Sequence, residues 1–308
     1  THRPLDVVVV DNASTDATRK VLGDFDGRVR VIHNERNDGF AAAQNLAIAS
    51  TRSDWVLTLN PDVQLMPGFI DGLVEAGEID RRAGTVCGKL LRIGRDLAPP
   101  SDVRIDSTGI FFTPSMRHFD RGWNEPDDGR FDDLEYVFGA SAAAALYRRK
   151  MIDDISTGGE FFDSDFFTYR EDADVAWRSQ LLGWRCLYNP EACGHHVRTM
   201  KPGSRRSVPP VLNMHSVKNR FLMRVKNVTA DLYRQHWIPV TGRDVVVLGG
   251  CLLYEPSSLP AFWHFARGLR RALANRQTIM LRRKVSDEYL AGWFRSQPSA
   301  EPLAQLTS

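Results

Sequence analysis

Only four cysteines occur in 308 residues, and none stands in a CxxC pair. A disulfide framework is therefore not expected, and a reducing cytosol is the expected compartment. Long apolar runs are missing too. The longest aliphatic stretch, Val245 to Tyr254, is about half of the ~20 residues that a membrane span needs, and no signal-peptide pattern is visible. Charge of one sign is also scarce, since 40 basic residues face 38 acidic ones for a net +2. That balance excludes a bulk electrostatic partner, so no nucleic acid is expected. There is no internal repeat.

What remains is an ordinary globular composition, 43% hydrophobic and 25% charged, enough for one large or two smaller domains. Val7 to Val10 is a β-branched run of the kind buried on both faces of a covered sheet. It ends in Asp11-Asn12-Ala13-Ser14-Thr15-Asp16, where Ser14 or Thr15 can cap a following helix. Val29 to Ile32 and Trp55 to Leu59 read as further strands, with an alanine-rich helix between them from Ala41 to Ala49. A helix from about Pro67 to Arg82 then precedes a strand near Thr85 to Gly88. This alternation is the pattern of βαβ units, whose ligands sit beyond the carboxyl ends of the strands. Asp11 and Asn60-Pro61-Asp62 both fall there.

From Leu97 to Asp133 the pattern weakens, and long loops with a hairpin near Ile105 to Phe112 are expected. Regularity returns at Tyr136 to Tyr147 and in a helix near Arg149 to Ile155, then Gly158-Gly159 makes a flexible turn. Tyr169 to Arg178 opens a helix with Glu171 and Asp172 in its first turn, where the helix dipole favours an ionised carboxylate. His196 follows Asp172 by 24 positions at the end of a strand-like run. Taken alone, Asn-Pro-Asp is a turn signal, acids at a helix start are caps, and a histidine pair such as His195-His196 is a surface or core element. Their order along the chain is what carries weight.

The segments VVVVDNASTD (7–16), NDGFAAAQN (37–45), LNPDV (59–63), FGASAAAALYRR (138–149), FFTYREDADVAW (166–177), GWRCLYNP (183–190) and His195-His196 together resemble the family 2 glycosyltransferases of the A-type fold, in their bacterial rhamnosyltransferase-like branch. The resemblance covers roughly residues 5 to 227. It implies a mixed, mainly parallel sheet between helices, with 1–227 as catalytic domain and 228–308 as a helical C-terminal extension. It also implies inverting transfer of a sugar, with rhamnose a candidate, from a nucleotide diphosphate donor to an acceptor hydroxyl in cell-surface polysaccharide or glycolipid synthesis.

In that reading Asp172 is the general base, and Asp62 with His196 holds Mg²⁺ or Mn²⁺. Asp11, Asn12, Asn60, Asp62, Arg205, Arg206 and Arg220 are on the donor side, while Gly158, Gly159 and Glu171 are on the acceptor side. Asn60 replaces the acid usual at the first metal-motif position, and the family's first strand has no counterpart before Thr1. The expectation is that the natural N-terminus is missing. Two rival readings stay open. A nucleotidyltransferase would need a Gly-rich, Lys- or Arg-bearing phosphate loop, which is not seen, and a non-catalytic nucleotide-sugar binder would keep the fold without turnover.

The C-terminal part adds Phe262, Trp263, Phe265, Leu269 and Leu273 interleaved with Arg267, Arg270 and Arg271. Two readings of this basic amphipathic helix stay open. It lies peripherally on the inner face of the plasma membrane, where a lipid-linked glycan acceptor would be met, or it packs on the catalytic domain.

Overall fold

The computed structural model describes residues 4–94, 97, 102–197, 208–298 and 300–302. β1 (Val8–Asp11) and β2 (Arg30–His33) pair in parallel as a small sheet of their own, with α1 (Thr18–Gly23) between them. β1 is half-exposed rather than buried on both faces, because β2 is its one strand partner among the described residues. Neither Ser14 nor Thr15 caps α1. The Asp16 carboxylate takes that place by accepting from Thr18 N at 3.0 Å.

The main sheet runs in the order β12 (Glu301–Pro302), β9 (Glu135–Val137), β11 (Arg185–His196), β5 (Ala83–Arg92), β10 (Ala144–Arg148) and β3 (Trp55–Leu59). β4 (Val63–Leu65) joins β11, and β6 (Ile105–Ser107) joins β5. The sheet is mixed, as expected, but parallel pairing within it is confined to β5 with β11, the other pairs being antiparallel. Reversals at Asn60–Asp62 and beyond β10 fold the chain back on itself, so the parallel share is smaller than βαβ alternation alone suggests. The hairpin expected at Ile105 to Phe112 is displaced. Gly109, at φ +117°, bends the chain so that β6 turns to β5, while β7 (Ile110–Phe112) pairs with β8 (His118–Asp120).

Helices α2 (Gly39–Ala49), α3 (Phe69–Ile79), α4 (Arg149–Ile155) and α5 (Glu171–Leu181) follow the apolar pattern closely. α5 can approach the sheet because Gly139 has no side chain: a Cβ there would lie 2.2 Å from Ala176 Cβ. Phe112, Phe138, Trp177 and Phe294 pack ring on ring at 4.8–5.9 Å between centroids. Phe294 comes from beyond residue 228. So do Leu232, Val240, Ile279 and Leu290, and all join the same core. The C-terminal helices α6 (Pro210–Asn227), α7 (Ala230–Leu253), α8 (Pro260–Leu281) and α9 (Asp287–Ala291) therefore share one hydrophobic interior with the preceding part. Burial of this size, at roughly 25 cal/mol per Å² of apolar surface, holds them there.

Candidate active site

β3 ends where expected. Its continuation, Asn60, donates its backbone N–H to the Ala143 carbonyl at 2.8 Å, which fixes the Asn60–Asp62 turn against the start of β10. On the other side Val197 N donates to the Asp62 carbonyl at 2.9 Å, and His196 stands opposite Val63 in the ladder. This brings His196 Nε2 to 3.4 Å from Asp62 Oδ1. The second ring nitrogen, Nδ1, lies 2.7 Å from Oδ2 of Asp106 on β6. Successive strand residues face opposite ways, so His195 points away from the pair His196 joins.

Asp106, fully buried, was not found by sequence reasoning. A lone acid inside a loop-like stretch gives no period to read, although Ile105-Asp106-Ser107 does show strand alternation. It orients the imidazole, as second partners of metal-binding histidines commonly do. Asp62, half-exposed, and His196 offer one carboxylate oxygen and one imidazole nitrogen. Among the described residues no group of three or more His, Cys, Asp or Glu side chains gathers for a metal. The pair therefore suits a divalent cation that takes its remaining ligands from phosphate oxygens and water.

The third predicted element closes on the same turn. Asp172, in the first turn of α5, accepts from the backbone N–H groups of Ala173 and Ala142, and Ala142 adjoins the Ala143 carbonyl that receives Asn60. Burial, then the neighbouring Asp120 carboxylate of β8, raises the Asp172 pKa to about 6. Glu171 is more deeply buried, and burial with the Asp172 charge pushes it up to about 8. At neutral pH the pair divides into an ionised Asp172 and a protonated Glu171. Asp174, the third acid of that turn, is engaged in the core by Arg178, Lys226 and Asn227 at 2.8–2.9 Å.

A strained turn delivers Asp172. Phe167, Tyr169 and Arg170 all have positive φ, 63–72°. Such backbone persists only where surroundings enforce it. Asn219 of α6, fully buried, does so by placing Nδ2 2.7–2.8 Å from the carbonyls of Phe166, Thr168 and Tyr169. Sequence reasoning also missed this residue, which reads simply as an amide within a helix. Phe167 stacks on His215 of α6, 4.7 Å between centroids, and its other side meets Gly39.

The strand-end acids behave differently from one another. Asp11 is buried, accepting from Ser14 N at 2.9 Å and Arg19 Nε at 2.8 Å, with His33 Nδ1 at 3.0 Å. The Ser14 hydrogen bonds, then His33 and Arg19, hold its carboxyl well below the usual range. Its oxygens are spent on the loop, as are both polar atoms of Asn12, which tie Asn34, Asn37, Asp38 and Gly39 together. Both side chains fasten the end of β1 to the neighbouring segments. Arg220 is buried with Nη1 lacking any hydrogen-bond partner, and burial with Arg170, Arg243 and Arg224 lowers its pKa. A guanidinium stays charged, and Asp244 is the acid whose charge acts on it. Arg205 and Arg206 lie outside the described residues.

Gly158 and Gly159, expected on the acceptor side, lie between α4 and α5. They form an exposed turn at φ +60° and +82°, closed by the Thr157–Glu160 bridge, and their glycine identity answers to that turn.

Residues 1–156 match the family described as Glycosyl transferase family 2. The chain belongs to that family. Over 225 residues it is 31% identical to the N-acetylglucosaminyl-diphospho-decaprenol L-rhamnosyltransferase of Mycobacterium tuberculosis, a match covering 66% of this chain and 70% of that one. Among solved structures it is similar to GalNAc-T7 with UDP, GalNAc and Mn²⁺, with a TM-score of 0.55 at 14% identity, covering 72% of this chain and 41% of that one. It is also similar to S. aureus TarS 1-349 in complex with UDP-GlcNAc, with a TM-score of 0.51 at 15% identity, covering 93% and 83%. The fold is the A-type glycosyltransferase fold. Membership of family 2 removes the nucleotidyltransferase alternative.

Proposed function

We propose that this family 2 glycosyltransferase moves a sugar, with inversion, from a nucleoside diphosphate to a hydroxyl of a lipid-diphosphate-linked saccharide in cell-wall polysaccharide synthesis. Rhamnose is the leading donor sugar, on the strength of the mycobacterial relative's name. One observation carries the mechanism: Asp172 and the Asp62–His196 pair are anchored to adjacent residues, Ala142 and Ala143, directly or through Asn60.

Asp62 and His196 would hold Mg²⁺ or Mn²⁺, which neutralises the diphosphate as it departs. Arg220 supplies a desolvated positive charge for the same leaving group. Asp172, ionised at neutral pH, accepts the acceptor's hydroxyl proton. As it does so the acceptor oxygen bonds to the anomeric carbon, and the bond to the phosphate oxygen breaks with its electron pair leaving on the nucleoside diphosphate. One displacement inverts the centre. Glu171, protonated, borders the base without competing for the proton.

The test is nucleoside diphosphate release from a panel of nucleotide sugars, dTDP-rhamnose included, with Mn²⁺ and a polyprenyl-diphosphate GlcNAc acceptor. Acceptor-dependent release with one donor is the expected result. Release from none of the donors would overturn the reading.

A further inference from the structure

α7 and α8 meet at a bend of 114°, and no single helix among the described residues is long and apolar enough to cross a membrane. The inner face of the bend is anchored on α6, where Met214, Val217, Cys251 and Ala261 form a small buried cluster with Phe221 and Phe262 against it. Phe262 and Phe265 thus pack inward on Phe221, so this part of the stripe follows the packing reading rather than the membrane reading. The outer face is bare. Val246, Leu252, Leu253, Tyr254, Leu259 and Trp263 are 37–76% exposed on the two arms of the bend. Large apolar side chains exposed in this number about one bend mark an interaction site.

Its charge indicates the partner. Residues 230–284 hold nine basic against three acidic residues, although the whole chain carries only +2. Arg267 and Arg270, both exposed, follow Trp263 at spacings of four and seven and share its helix face. Arg267 also borders a cleft of about 300 Å³ with Lys218, His264, Arg271 and Asp165, carrying basic groups inward from that face. Apolar tip, aromatic rim and arginine flank are what an interfacial element needs to sit among anionic headgroups.

We propose that the α7–α8 bend docks on the surface of an anionic bilayer, inserting Leu252, Leu253 and Trp263 among the headgroups while Arg267 and Arg270 meet lipid phosphates. The surface is independent of the catalytic residues, and it rests on the lipid-linked-acceptor reading only for its use.

The experiment is co-sedimentation of the full chain with phosphatidylglycerol vesicles and with phosphatidylcholine vesicles, at low and at 0.5 M NaCl. Binding to the anionic vesicles that high salt weakens, and at least tenfold weaker binding by Leu252→Asp/Leu253→Asp, is expected. Arg267→Glu/Arg270→Glu should abolish the preference for anionic lipid. Brominated lipid should quench tryptophan fluorescence in the wild type and less in Trp263→Phe, a reading that does not depend on the aspartate variants folding. No binding to anionic vesicles, or equal binding by all variants, would overturn the proposal. So would a concentration-dependent dimer that the Leu252→Asp/Leu253→Asp change dissolves, since a second copy would then cover the face. Donor-dependent nucleotide release in detergent should be unchanged in these variants, so failure to dock and failure of the transferase reading are separate results.

Discussion

His196 stands 3.4 Å from Asp62 through Nε2 while Asp106 holds the opposite ring nitrogen at 2.7 Å. The imidazole is oriented from behind by a buried carboxylate, which turns its other edge toward the half-exposed Asp62. Asp106→Asn keeps the shape but weakens that hold. Mn²⁺ affinity, followed by paramagnetic resonance, should fall about 10–100-fold, as for other groups that orient metal ligands. An unchanged affinity would show that Asp106 serves only the fold.

With Asp172 as the proposed base, its titration sets the acid limb of the activity profile. A base with a pKa near 6 must be deprotonated, so kcat should fall about tenfold per pH unit below 6 and level off above it. A limb near 4 would place the base elsewhere.

Glu171 affects stability with the opposite pH sense. Its folded pKa of about 8 exceeds the ordinary 4.5, so its contribution is fully present below about 4.5 and is lost as pH rises through about 8. Glu171→Gln should unfold at the same temperature as wild type at pH 4 and at a higher one at pH 9, measured by thermal denaturation. Parallel losses at both pH values would contradict the buried, protonated acid.

The strained turn before α5 depends on two contacts. A Cβ on Gly39 would lie 2.5 Å from the Phe167 ring and 2.6 Å from its carbonyl, at a φ of +86° that alanine resists. Gly39→Ala should cost at least about 1 kcal/mol in urea denaturation. Asn219→Leu, which orphans carbonyls the amide now satisfies, should cost about 1–3 kcal/mol. Both should lower kcat, because Asp172 rides on that turn.

Much of this was legible in the chain. Apolar runs ending in polar turns gave β1 and β3, the apolar spacing gave α5, and Asp62, Asp172 and His196 were singled out by their order along the chain. What escaped was set by tertiary contacts. The Arg19 and His33 partners of the Asp11 carboxylate come from other elements and were not foreseen. α7 was hidden by Pro239 within it and by an apolar run that remains largely exposed. Asp106 and Asn219 each act on one partner far away in sequence, and no local spacing announces that.

The most direct measurement is calorimetric binding of the nucleotide-sugar donor with Mn²⁺ to wild type, Asp172→Asn and His196→Ala. Asp172→Asn should bind donor as wild type does while turnover falls by about 10²–10⁴-fold, and His196→Ala should lose donor affinity. Loss of donor binding in Asp172→Asn, or full binding in His196→Ala, would contradict a single cleft served by base and cation pair.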